Sequence, residues 1–182
     1  MRNVLIRTSM IATLTVMTAS AASAQTAVTL PNSTQTTTLT ANVSEQAQVT
    51  VPAGVTFNVT NVGASTAASA ASVTVNSIVL ATATKTLKIS LQGNAAAFTP
   101  SVALAATWAV GDVTWSAATF SNGTGAAGTL IDTAYTAVAD CAADAASCST
   151  TNLVFTLAAK STVKRSGNHT LAMTWKFESI GT

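Results

Sequence analysis

Charged side chains are scarce in this sequence, since only 8% of its 182 residues are Asp, Glu, Lys or Arg. Nucleic-acid binding needs several clustered Lys or Arg residues, and no such cluster is present, so we expect no nucleic-acid partner. With so few charges, the surface must consist largely of Thr, Ser, Asn and Ala. Weak charge repulsion between such surfaces favours association.

A long apolar run is also missing after residue 24, where no stretch of about 18 apolar residues could span a membrane. At the start, Arg2 and Arg7 precede a short apolar stretch, and the Ala-Ser-Ala at 22–24 is a small-residue cleavage site. This pattern indicates a secretory signal peptide at residues 1–24 rather than a membrane anchor. Its removal would leave equal numbers of basic and acidic residues. We expect a secreted protein of the extracellular space, cell surface or periplasm, with no transmembrane segment after cleavage.

There are only two cysteines, Cys141 and Cys148. Two thiols in an exported protein usually pair. A continuous helix would separate their α-carbons by about 10.5 Å, which exceeds the limit of roughly 7 Å for a disulfide. The sequence therefore predicts a disulfide across a bent loop. A zinc site needs more ligands than one histidine can complete, and we predict neither a metal site nor a cofactor.

Residues that could perform catalysis are few. His169 is the only histidine, and no G-x-S-x-G motif accompanies it. The segment at 123–128, Gly-Thr-Gly-Ala-Ala-Gly, matches a dinucleotide-binding fingerprint, but no amphipathic helix follows, so a glycine-rich hairpin loop is the better interpretation. Most of the six acids lie in or beside turns. Asp140 and Asp144 could together contact a cation, although they lack the spaced oxygen ligands of a calcium loop.

Alternation of apolar and polar residues is the dominant pattern, and it is typical of β-strands. The alternating segments are 39–43, 47–51, 55–59, 87–91, 102–110, 113–115, 153–157 and 169–177. The segment at 71–80 is apolar on both faces near its end. Turn signals separate these segments, and no long amphipathic helix interrupts them, although the alanine-rich stretches 63–72 and 137–147 could form helical turns or loops. We predict a flexible N-terminal arm at 25–38, followed at 39–182 by a single antiparallel, immunoglobulin-like β-sandwich domain.

His169 begins the clearest alternation. In the last segment, a core face is predicted for the odd positions 169–177, and Thr170, Thr174 and Lys176 lie on the opposite face. Because His169 follows a turn and stands first on the core face, we expect it to be half covered at the rim of the sheet. A catalytic role would require partners that the sequence does not identify.

The C-terminal segment resembles the closing strand of secreted bacterial β-sandwich proteins. His169-Thr170 and Met173 to Phe177 are similar to the last strand of WxL-type surface proteins, and Trp108 to Val110 is a loose match to their W-x-L motif. The Gly-Asn-His-Thr at 167–170 is similar to the final strand of spore-coat-U-like and fimbrial subunits. The resemblance implies a cell-surface or fibre-forming role without catalysis, and it supplies no active-site residues.

Two functions follow from these observations. The first is a non-enzymatic structural or surface-assembly protein that binds copies of itself or components of the cell envelope. The alternative is a secreted module that binds carbohydrate or another ligand through loop residues such as Trp115 or Tyr135. An assembly subunit should leave a sheet edge or terminal strand unpaired, whereas a glycan-binding module should expose aromatic side chains.

Overall fold

The computed structural model describes residues 27, 29–31 and 35–181. The chain divides into two units, Met1–Ala41 and Asn42–Thr182. The described residues of the first unit form no helix or strand, and the strands belong to the second unit. The predicted signal peptide lies outside the described residues, as does part of the predicted arm. No helix in the described ranges is long and apolar enough to cross a membrane.

The fold is built from β-strands, which confirms the all-β prediction. Within the described part of the chain there is no α-helix, and the one helical element is a 3₁₀ turn at Val110–Asp112. The strands are β1 Gln46–Thr50, β2 Thr66–Ala67, β3 Ala71–Val79, β4 Thr86–Gly93, β5 Val113–Trp115, β6 Thr119–Phe120, β7 Gly123–Gly125, β8 Gly128–Thr129, β9 Thr136–Cys141, β10 Cys148–Leu153, β11 Phe155–Leu157 and β12 Met173–Ile180.

The strands form three antiparallel sheets, an arrangement consistent with a β-sandwich. Their orders are β1-β3-β10, β2-β11-β5-β8 and β12-β4-β9-β7-β6. The longest uninterrupted ladder joins β4 to β12, from the pair Met173 and Gly93 to the pair Ile180 and Thr86. This ladder fixes the register of the C-terminal strand over its whole length.

One apolar core lies between the sheets. Val73 and Val75 of β3 are fully buried, and Thr74 between them is half-buried, so the period of two selects the core residues of this strand. Ile89 and Leu91 of β4 are also fully buried, but Ser90 between them is buried as well, so this strand is covered on both faces. Leu153, Phe155 and Leu157, which alternate across the end of β10 and all of β11, are buried in the same core.

The predicted disulfide is present. Cys141 ends β9 and Cys148 begins β10, and their α-carbons are 5.8 Å apart. Since β9 and β10 belong to different sheets, the bond links the five-stranded sheet to the three-stranded sheet. The prediction of helical turns or loop at 137–147 is wrong for its first part, which lies in β9. Val138 and Ala139 are fully buried there, and this packing outweighs the helix propensity of alanine.

The predicted strand at 102–110 is also wrong. Val102 and Leu104 are exposed, and Leu104 has a φ of 62°, in the left-handed region. The chain instead forms a loop closed at its base, where Phe98 N–H donates to the carbonyl of Trp108 at 2.8 Å. Alternating alanine offers little apolar surface to bury, so these closing contacts determine the conformation.

The weak strand predicted at 39–43 is absent, because the first strand begins at Gln46. Just before it, the Glu45 carboxylate accepts hydrogen bonds from Ala81 N–H at 2.7 Å, Lys85 Nζ at 3.0 Å and Ser179 Oγ at 3.1 Å. These bonds tie the start of β1 to the loop between β3 and β4 and to the end of β12. The bond from Ala81 N–H, followed by that from Lys85, lowers the pKa of Glu45 below its ordinary value of 4.5.

Removal of the disulfide should destabilise the fold measurably. The double substitution Cys141→Ala/Cys148→Ala opens an eight-residue ring, and the chain-entropy model gives a loss of about 2.5 kcal/mol for a ring of this size. Urea denaturation of the wild type and of the double variant would measure this loss in the free energy of unfolding. An unchanged denaturation midpoint would contradict a stabilising link between the two sheets.

The Glu45 contacts predict a pH dependence. Because its pKa is lower in the folded state, the carboxylate stabilises the fold above pH 4.5, and this contribution disappears as the pH falls through the lowered pKa. Glu45→Gln should therefore reduce the melting temperature slightly at pH 7 and have no effect well below pH 4.5. Glu178→Gln, which removes an exposed ion pair with Lys176, is the matched control and should show a smaller pH-dependent difference. Equal melting curves for wild type and Glu45→Gln at pH 7 would argue against this role.

Candidate functional site

An open groove with a volume of about 1180 Å³ lies on the surface of the described part of the chain. Two chain segments, 51–60 and 163–173, line it together with core side chains. We call this feature the groove. The core side chains that line it are Phe98, Trp108, Val113, Leu130, Phe155 and Leu157.

The segment at 51–60 has the side-chain pattern of a strand, but no strand of the described chain pairs with it. Val55, Phe57 and Val59 are half-buried and pack against the core, whereas the intervening residues are exposed. Within the described chain, the backbone of this segment makes a single backbone hydrogen bond, from Val59 N–H to the carbonyl of Phe57 at 3.1 Å. The strand predicted at 55–59 therefore has the expected faces but forms no ladder. Its remaining N–H and C=O groups are available for hydrogen bonds.

The second segment, 163–173, leads into β12. Thr170 exchanges backbone hydrogen bonds with Thr99 at 2.8 and 3.0 Å, so the loop at 99–107 is attached to this segment. Leu171 and Met173 lie on the core-facing side and are only half-buried. Their partial burial agrees with their position in the lining of the groove.

The deepest residues of the groove belong to the core itself. Val113, Phe155 and Leu157 are at most 4% exposed, yet they line the groove. The sequence predicted these residues as core, but it gave no sign that the core is open on one side. The lining includes two cationic residues, Lys164 and Arg165, and no carboxylate.

His169 lies at the rim of the groove, half-buried as predicted. Its Nε2 is 3.2 Å from the carbonyl oxygen of Arg165, and its Nδ1 is 2.8 Å from Thr107 Oγ1. Because a carbonyl only accepts, Nε2 carries the proton and Nδ1 accepts from the Thr107 hydroxyl. The ring also meets Trp108 edge-on, with centroids 5.3 Å apart. These contacts attach the loop at 99–107 to the groove and use both ring nitrogens.

The acidic residues do not gather at one place. Asp112 accepts from Lys160 Nζ at 2.6 Å and from Ala109 N–H at 2.7 Å, so it joins a loop to the 3₁₀ turn. Asp144, with a φ of 55°, lies in the loop between the cysteines and lines a small cavity of about 150 Å³. Asp140 lies on β9. Among the described residues, no three His, Cys, Asp or Glu side chains are grouped to hold a metal ion.

The two aromatic residues considered for sugar binding differ in exposure. Trp115 is buried, donates from Nε1 to the carbonyl of Ala126 at 3.0 Å and packs against Phe155. Its ring is therefore not exposed to a ligand. The prediction that Trp115 is a loop residue is wrong, because it lies on β5. Tyr135 is exposed, and Lys176 Nζ lies 5.5 Å from the centre of its ring.

The glycine-rich segment at 123–128 connects two sheets. Gly125 belongs to β7 of the five-stranded sheet, and Gly128 begins β8 of the four-stranded sheet. A side chain at Gly125 would collide with the backbone of Ala118, and one at Gly128 would collide with the Trp115 ring. Close packing therefore accounts for these glycines. The segment consists of β7, a two-residue connection and the first residue of β8, so the predicted hairpin loop is wrong, and no helix follows.

The contacts of His169 predict a structural effect of substitution. His169→Gln should lose the hydrogen bond between the ring and the Thr107 hydroxyl and lower the free energy of unfolding by about 1 kcal/mol. Thr107→Val removes the hydroxyl of the same hydrogen bond, so it should lower the melting temperature by a similar amount. A catalytic activity that disappears with His169→Gln while the melting temperature is unchanged would contradict the structural role.

Comparison with known proteins provides no relative from which a function could be transferred. No protein-family model, curated protein or solved structure matches this chain. The groove is therefore the feature on which a functional proposal has to rest.

Proposed function

We propose that this protein is a secreted, non-enzymatic subunit of a cell-surface assembly, and that its groove accepts an extended segment of another polypeptide. The observation that carries the proposal is the segment at 51–60, which has a core-facing side but no ladder partner among the residues that the structure describes. In this proposal the domain is an immunoglobulin-like sandwich with one strand position left empty.

The backbone of the groove favours a peptide as the ligand. An added strand would use the free N–H and C=O groups of 51–60 for affinity, and its alternate side chains would fill the apolar lining. At about 1180 Å³, the groove is also larger than the usual 300–1,000 Å³ of small-molecule pockets. A strand of five or six residues, about 17–20 Å long, suits an elongated site of this kind.

The overall charge supports association rather than repulsion. Without residues 1–24, the chain has equal numbers of acidic and basic residues, so copies of the protein repel one another weakly. The buried disulfide between two sheets suits an oxidising compartment such as the periplasm or the extracellular space. Both features fit a subunit that assembles outside the cytoplasm.

Carbohydrate binding is the second candidate. The exposed ring of Tyr135 beside Lys176 is the observation in its favour, since aromatic rings stack on sugars and cations alike. Because Trp115 is buried, one exposed ring supports carbohydrate binding less strongly than the groove supports peptide binding.

If the groove is the site of assembly, Tyr135→Ala should leave the association of the protein unchanged in sedimentation velocity.

Substitution within the groove tests the proposal. Phe57→Lys places a charge on the core-facing side of 51–60, and Thr124→Lys places the same charge on an exposed residue of β7 that does not line the groove. We expect wild type and Thr124→Lys to form oligomers in sedimentation velocity and negative-stain microscopy, and Phe57→Lys to remain monomeric. Circular dichroism and the mass of the intact disulfide establish that each variant is folded. A wild-type protein that stays monomeric at all concentrations, or equal association of all three, would overturn the proposal.

A further inference from the structure

The segment that precedes β1 carries exposed apolar side chains in strand-like alternation. Leu39 is 92% exposed and Val43 is 71% exposed, with Ala41 between them, and residues 38–44 form no strand. Thr40 and Asn42 occupy the intervening positions. If the segment were extended, Leu39, Ala41 and Val43 would form one apolar face.

We infer that the groove is occupied by residues 38–44 of a second copy of this chain, with Leu39, Ala41 and Val43 directed towards the core. This inference rests on the proposed function and names the partner of the same site. This donor segment begins at the last residue of the predicted flexible arm at 25–38.

The two surfaces match in chemistry and in length. Residues 38–44 carry no charge, and no carboxylate lines the groove, so neither partner has to bury an ion pair. Seven extended residues span roughly 23 Å, which is shorter than the ten residues of 51–60 along which they would pair. Each surface exposes apolar area that the other can cover.

A second copy fits better than the chain's own segment. Only Glu45 separates residue 44 from β1, and its carboxylate is held by hydrogen bonds from Ala81, Lys85 and Ser179. Hairpin turns commonly need at least two residues, so one anchored residue cannot reverse the chain. Along the chain, residue 44 is followed by Glu45 and then by the five residues of β1, which pair with β3.

A complementation experiment tests the inference. The donor variant, Leu39→Lys/Val43→Lys, keeps the groove intact, whereas the groove variant, Phe57→Lys, keeps the donor segment intact. We expect each to be monomeric alone and the mixture to form heterodimers that cannot extend further. Association of the donor variant with itself should be about a hundredfold weaker than wild type, since each lost apolar side chain contributes roughly a tenfold factor.

The control variant is Thr40→Lys/Asn42→Lys, which adds the same charges on the other face and should associate far more strongly than the donor variant. A synthetic peptide of residues 38–44 should raise the melting temperature of the donor variant, and a scrambled peptide should not. If wild type assembles and Phe57→Lys does not, while the donor variant assembles like wild type, the inference is wrong and the proposed function stands. If wild type does not assemble at all, the proposed function itself fails. Two monomeric variants that do not dimerise when mixed would also overturn the inference.

Discussion

A β-strand needs a neighbour, and within the described chain this requirement is unmet along the segment at 51–60. The segment at 51–60 packs Val55, Phe57 and Val59 against the core, but its backbone has almost no hydrogen-bond partners in the described chain. Apolar contact holds the segment in place, while its polar groups remain open to another strand. The groove lies along this segment, and the half-buried face of 163–173 forms the other part of its lining.

Contacts elsewhere in the fold hold the elements around the groove in place. The ladder between β4 and β12 fixes the strand that leads out of the groove, and the disulfide from Cys141 to Cys148 links two of the sheets. His169 and Thr107 attach the loop at 99–107 to the rim. These contacts fix β12, two of the sheets and the loop at 99–107 without any strand in the groove.

The sequence predicted the parts of the fold that depend on local alternation. β3, β4, β5, β11 and β12 follow their apolar period, and the disulfide followed from compartment and geometry. Prediction failed where alanine alternates, as at 102–110, since methyl groups provide too little buried area to fix a strand. It also missed β9, where burial of Val138 and Ala139 outweighs helix propensity.

The groove could not be predicted from the sequence, and the reason is physical. The alternation at 55–59 indicates which side chains face the core, but ladder partners are distant in sequence and leave no local pattern. In the same way, Leu39, Ala41 and Val43 have the pattern of a strand in their own sheet, whereas the structure leaves them exposed. The exposure of this apolar segment and the presence of the groove could be recognised only from the three-dimensional structure.

Hydrogen exchange at the backbone amides of residues 55–59 tests the central claim most directly. The unpaired segment should exchange its amide hydrogens rapidly in the monomer and slowly in the assembled protein, because an added strand would protect them. The amides of 88–91 in β4, which are paired on both sides, should be protected in both states and provide the internal reference. Protection of 55–59 already in the monomer, or exchange that assembly leaves unchanged, would contradict the account.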